Sequence, residues 1–167
     1  MDLDIQHVIS SICNNQEICC VRAHGSILWN ISGKEYEDEV DNLITNAGRI
    51  FLHTQGYGTT GLGTNGLNYI ALSNDALTET ASSTTLSTEI AANGLARAQG
   101  TVTLPTGSGT STTIARTFTC ATASQAAQKA ALFTASSAGT MCHVLSFTQR
   151  TLQVGDTLAV TFTITTS

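Results

Sequence analysis

The sequence predicts a mainly β protein: an antiparallel, jelly-roll-like β-sandwich with one or two short helices and an N-terminal arm. Three observations predict it. Leu158, Val160, Phe162 and Ile164 alternate with Ala159, Thr161, Thr163 and Thr165, the period of two expected of a strand with one buried face. Other β-prone runs recur at short intervals, separated by turns rich in Gly, Ser and Asn. The length, 167 residues, is enough for one domain with a core and hardly enough for two.

Taken in order, residues 1–17 are polar with apolar positions at Leu3, Ile5, Val8, Ile9 and Ile12. That spacing is the stripe of a short amphipathic helix. The segment reads as an arm or short helix, and these five residues as a subunit interface. Residues 18–167 then form a single sandwich domain. The runs Ile18 to His24 and Ser26 to Ser32, broken by Gly25, predict a hairpin, with Ile27, Trp29 and Ile31 on one face. The acidic residues Glu35, Glu37, Asp38, Glu39 and Asp41 precede Leu43, Ile44, Ala47, Ile50 and Phe51 at helical spacing, so a helix is expected near 40–54, with carboxylates at its positive end.

Five glycines fall within Gly56 to Gly66, which reads as a loop leading to a buried strand at Asn68 to Ser73. Asn74 to Glu79 supplies turn residues, and Leu86 to Ala91 suggests one helical turn ending near Asn93-Gly94. Four more strands are expected: Leu95 to Leu104, Ser111 to Ala121, Thr140 to Phe147 and Asp156 to Thr165. Pro105 to Thr110 and Gln153 to Asp156 are turns between them. Ser124 to Phe133, with its Ala-Ala pairs, has helical propensity.

Composition narrows the function. Hydrophobic residues make up 41% and charged residues 11%, against roughly 25% charged in an ordinary globular protein. Thr, Ser, Ala and Gly fill the deficit, giving a polar, weakly charged surface suited to touching neighbours. The net charge is -5 and no basic cluster occurs, which argues against nucleic acid, because phosphate backbones demand cations. Apolar runs are too short to span a bilayer, and the first residues lack the pattern of an export signal. Synthesis in a host cytoplasm is expected, and five cysteines, an odd number, suit a compartment that keeps thiols reduced.

No constellation points strongly to chemistry. Cys13, Cys19, Cys20, His24 and the Cys142-His143 pair carry zinc-type donors, yet Cys19 and Cys20 are adjacent and on a strand would face opposite ways. A cysteine nucleophile would need Cys120 or Cys142 beside His24, His53 or His143. Inside strands such thiols are more often small core residues. Asp75, Glu79, Glu89 and Asp156 lie in or near turns, where carboxylates usually cap backbone rather than hydrolyse bonds. Gly56, Gly58, Gly61 and Gly63 lack the strand-loop-helix order and the lysine of a phosphate loop. Trp29 is either an interface anchor or, on its alternating strand, core. The expectation is a non-enzymatic protein without catalytic residues, metal or cofactor.

A set of short segments in fixed order carries a resemblance. Asn42 to Gly48 reads Asn-Leu-Ile-Thr-Asn-Ala-Gly, and Tyr69 to Ser73 reads Tyr-Ile-Ala-Leu-Ser. Leu86 to Ile90 follows as Leu-x-x-Glu-Ile, then Arg97 and Gly100, then Thr-Phe-Thr at Thr117 to Thr119. Ala130 to Phe133 gives Ala-x-Leu-Phe, and the series closes with Gly-Asp-Thr-Leu-x-Val-Thr-Phe-Thr-Ile at Gly155 to Ile164. In this order, over residues 40–167, the chain resembles a group of small structural proteins of tailed bacteriophages. The resemblance implies a β-sandwich component of the virion and no catalytic residues.

The role expected first is a head decoration, or cement, protein on the outer surface of the particle. It would be a homo-oligomer, a homotrimer by expectation, bound to a major capsid protein and stabilising the shell through many tethered contacts. One alternative is a tail, baseplate or fibre-attachment subunit bound to a tail protein. Another is a glycan-binding module on the particle surface, which an aromatic content of 5% favours little.

Overall fold

The computed structural model describes residues 21–48, 50–51, 66–104 and 111–166. Strand β1 (Val21–Ile31) turns through Ser32-Gly33 into β2 (Lys34–Asp41). Both turn residues take positive φ, 51° and 77°, the geometry a two-residue hairpin turn demands and a Gly supplies without strain. The hairpin therefore pivots eight residues later than expected. Gly25 lies inside β1 because a Cβ there would overlap the Leu145 side chain: it is a point of close approach between sheets, and not a turn.

The chain continues as β3 (Leu43–Ile44), β4 (Tyr69–Ser73), β5 (Ala98–Gln99), β6 (Thr101–Thr103), β7 (Ser111–Thr119), β8 (Gln125–Phe133), β9 (Met141–Leu152) and β10 (Thr157–Thr166). Two five-stranded antiparallel sheets result. Sheet A has the order β2-β1-β10-β7-β6 and sheet B the order β3-β9-β8-β4-β5. This is the β-sandwich expected. Its core holds Ile27, Trp29, Ile114, Phe118, Leu158, Val160 and Phe162 from sheet A, and Ile70, Leu72, Ala130, Leu132, Leu145 and Phe147 from sheet B.

Three expectations are corrected. The acidic residues 35–41 belong to β2, and the helix near 40–54 shrinks to residues 46–48 and 50–51 as far as it is described. Thr45 sets its start: its hydroxyl accepts the Gly48 N–H at 3.0 Å and donates to the Met141 carbonyl at 2.7 Å, an N-cap tied at the same time to sheet B. Residues 86–91 form no helical turn. Glu89 bridges to Ser73 and Ile90 N–H donates to the Leu72 carbonyl at 2.8 Å, so this segment continues the edge of sheet B.

The third correction is β8, where residues 124–133 were expected to favour helix. β8 lies at the centre of sheet B and is covered on both faces. Ala127, Ala130 and Leu132 point into the main core. Ala131 and Phe133 meet Ala71, Leu86, Met141 and Val144 in a second apolar cluster on the outer side. A strand buried on both faces loses its alternation, and small alanines fit where two layers press on one backbone.

What covers the outer side is the connection 74–97. Buried Lys129 donates to the Leu77 carbonyl at 2.6 Å and pairs with Glu79 at 3.1 Å. The Arg97 guanidinium lies 3.6 Å from the centre of the Phe133 ring and pairs with Glu89. Gln128 Nε2 donates to the Asn74 carbonyl at 2.6 Å. No segment among the described residues covers the outer face of sheet A.

Candidate functional site

The residues singled out for chemistry are either outside the described residues or already engaged in holding the fold. Leu3, Ile5, Val8, Ile9 and Ile12 of the expected interface lie outside the described residues, as do Cys13, Cys19, Cys20, His53 and the glycines of the expected loop from Gly56 to Gly63. The expected arm at residues 1–17 lies there too.

Cys120 and Cys142 are buried and free. The Cys120 thiol faces the carbonyl of Ala123 at 3.1 Å, and burial, with Asp156 nearby, raises its pKa. Burial pushes Cys142 up to about 12. A nucleophilic cysteine needs the opposite shift, toward thiolate. His143 follows Cys142 in sequence but turns to Asn42, whose Nδ2 lies 3.0 Å from His143 Nδ1. His24 stands exposed on the outer face of sheet A. No cysteine-histidine pair forms among the described residues.

The four turn carboxylates are engaged as well. Asp156 accepts Ser32 N–H at 2.8 Å with one oxygen and Gln153 N–H at 2.7 Å with the other. It thereby ties the β1–β2 turn to the β9–β10 turn. Asp75 accepts Leu77 N–H at 2.8 Å; hydrogen bonding to the Ser87 side chain first, and this backbone bond next, hold its carboxyl below the usual range. Glu79 and Glu89 are the partners of Lys129 and Arg97. Trp29 is fully buried, edge-on to Phe147 with ring centres 5.4 Å apart, and its Nε1 donates to Asp38 at 3.2 Å. It is a core residue.

Recesses on the described surface are open. One of about 510 Å³ is lined by Ala23, His24, Glu39, Val40 and Asp41. Two of about 200 and 230 Å³ lie against the connection 74–97, where the charged groups are those already paired. Among the described residues, no group of three or more His, Cys, Asp or Glu is placed to hold a metal ion. No described helix is long and apolar enough to cross a membrane.

The candidate site is therefore a surface, the bare outer face of sheet A. Its middle rows run Ser26, Thr161, Ala115, Thr101 and Leu28, Ala159, Thr117 across neighbouring strands. Most of its side chains on β1, β10, β7 and β6 are threonines, and none of those described is Asp, Glu, Lys or Arg. Carboxylates occur only at one rim, where Glu35, Glu37, Glu39 and Asp41 point outward from edge strand β2. The alternation in β10 already showed a Thr/Ala face opposite the core. That this face stays bare, while that of sheet B is covered, could not be read before the packing of residues 74–97 was known. No family model, curated protein or solved structure matches the chain.

Proposed function

We propose that this chain is a structural component of a tailed-bacteriophage virion, and that it decorates the outer surface of the head as a cement protein bound to the major capsid protein. One observation carries the reading: the ordered segments behind the resemblance occupy the positions that determine this sandwich. Asn42 is the corner where the chain leaves sheet A for sheet B, hydrogen-bonded to Ala23 of one and His143 of the other. Tyr69–Ser73 is β4. Leu86 covers β8, Arg97 locks Glu89 and Phe133, and Gly155-Asp156 forms the turn that anchors Ser32. A shared order of such residues reflects a shared architecture, whereas a chance match would scatter over surface positions.

The engagement of the described thiols, His143 and turn carboxylates in the fold favours a protein that works by offering shape. A shell stabilised in this way needs many copies with modest individual affinity, since tethered contacts add. The test is to purify particles from the cells that make this chain, quantify their proteins by mass spectrometry, and locate the chain by cryo-electron microscopy. Multiple copies on the outer head are expected. Density confined to the tail would make it a tail or baseplate subunit, and absence from particles would overturn the reading.

A further inference from the structure

The two sheets treat their outer faces differently. Sheet B buries its own under residues 74–97, with an apolar cluster and two ion pairs. Sheet A leaves a face of hydroxyls, alanines and Leu28, which is 40% exposed. Its free edges do not invite another strand. β6 has three residues, β3 and β5 have two each, and the one long edge, β2, carries a carboxylate at every second position. Short or charged edges are how sheets resist strand addition. Contact through sheet A is therefore left to its face.

That face has the make-up of a protein interface, where the centre is depleted in charge and charges collect at the rim. The carboxylates alone would be edge protection. Their position along one border of a charge-free surface is what gives the occupant a chemistry. On β1, the positions across from Glu35, Glu37 and Glu39 are Asn30, Leu28 and Ser26, and none supplies a cation.

A second copy could not supply them well. Of the seven Lys and Arg in the chain, Arg97 and Lys129 are paired with Glu89 and Glu79. Arg150 lies over the Tyr36 ring at 4.1 Å, and Arg116 reaches the Gln99 carbonyl. In size, a five-stranded face with strands about 4.8 Å apart and about 30 Å long offers roughly 600 Å². That is somewhat below the ~800 Å² each partner gives to a standard interface, and it suits a subunit whose contacts add over many copies.

We propose that the outer face of sheet A docks on a different protein, one that sets lysine or arginine side chains against the carboxylate rim of β2. The proposal rests on the virion reading and names the surface through which the chain meets the particle. Steering by the rim speeds association at low salt, while the hydroxyl rows and Leu28 make the contact itself.

The test uses the full chain on particles, with a photo-crosslinking amino acid in place of Leu28 and, separately, in place of Leu77 on the connection covering sheet B. The expected result is a crosslink from position 28 to another polypeptide, at a peptide rich in Lys or Arg, and none from position 77. Thr161→Arg and Ser26→Arg should each lower particle occupancy at least tenfold, a typical consequence of a charge buried at an interface centre, while their Tm stays near that of the wild type. Glu37→Gln with Glu39→Gln should slow binding about several-fold and flatten its salt dependence. Crosslinks from 28 to a second copy, crosslinks from 77 alone, or full occupancy by both folded arginine variants would overturn the face assignment and leave the virion reading standing. Absence of the wild-type chain from particles would overturn both.

Discussion

His143 shows how a single residue couples this fold to pH. It is fully buried, its Nδ1 faces Asn42, and neither His143 Nε2 nor Asn42 Oδ1 finds a hydrogen-bond partner. Burial lowers its pKa from 6.5 to about 4. The folded state thus holds the neutral ring, and the unfolded state takes up a proton first as pH falls. The contribution is complete above pH 6.5 and is lost progressively between pH 6.5 and about 4, by about 3 kcal/mol in all. Urea denaturation at a series of pH values should show this decline, and His143→Phe should abolish most of it. An unchanged slope in that variant would place the proton uptake elsewhere. His143 stands in a strand that was legible, but its partner was not, since Asn42 is 101 positions away and lies in a segment that reads as the start of a helix.

At the scale of elements, legibility follows from how many faces a strand buries. β10 was legible because it has one core face and one bare face, so period two survives in Leu158 to Ile164. Phe162 is fully buried and pairs across the sheet with Gly25 and Ile114. Phe162→Ala should destabilise by about 3 to 5 kcal/mol in equilibrium unfolding; a change within about 0.5 kcal/mol would mean that its pocket is not core. β8 was not legible, because both of its faces are covered and its alanines score as helix formers. Its outer side rests on one ion pair. Lys129→Met leaves Glu79, itself mostly buried, without its cation, at a cost of about 3 to 5 kcal/mol, whereas adding Glu79→Leu should recover most of the loss. Equal stability of the single and double variants would show that the connection 74–97 is held by its apolar contacts alone. The β1–β2 turn was legible in principle, as Ser32-Gly33 is a turn dipeptide, but Gly25 drew the break toward itself because a glycine within a strand looks like punctuation when the opposing Leu145 is unknown.

For the whole molecule, the distribution of its ties gives a direction to the particle contact. At one end, Asp156 fastens two turns, and Cys120 N–H donates to the Asp156 carbonyl at 2.9 Å while Gly155 N–H donates to the Cys120 carbonyl at 2.8 Å. The other end is where Val21 meets Thr166 and where Thr103 and Ser111 border residues 105–110. The N-terminal segment therefore joins the sandwich beside the start of β1, next to the face of sheet A, and its apolar residues Leu3, Ile5, Val8, Ile9 and Ile12 are within reach of whatever that face contacts. If they act as an arm, removing residues 1–17 should leave the described sandwich intact, with Tm lowered by no more than about 4 °C, equivalent to about 1 kcal/mol or less. Particle occupancy should fall at least tenfold, because a second tethered contact multiplies affinity. Calorimetry and quantitative mass spectrometry of decorated particles measure the two separately. A large loss of Tm would make residues 1–17 part of the fold, and undiminished occupancy would leave the face of sheet A as the sole anchor.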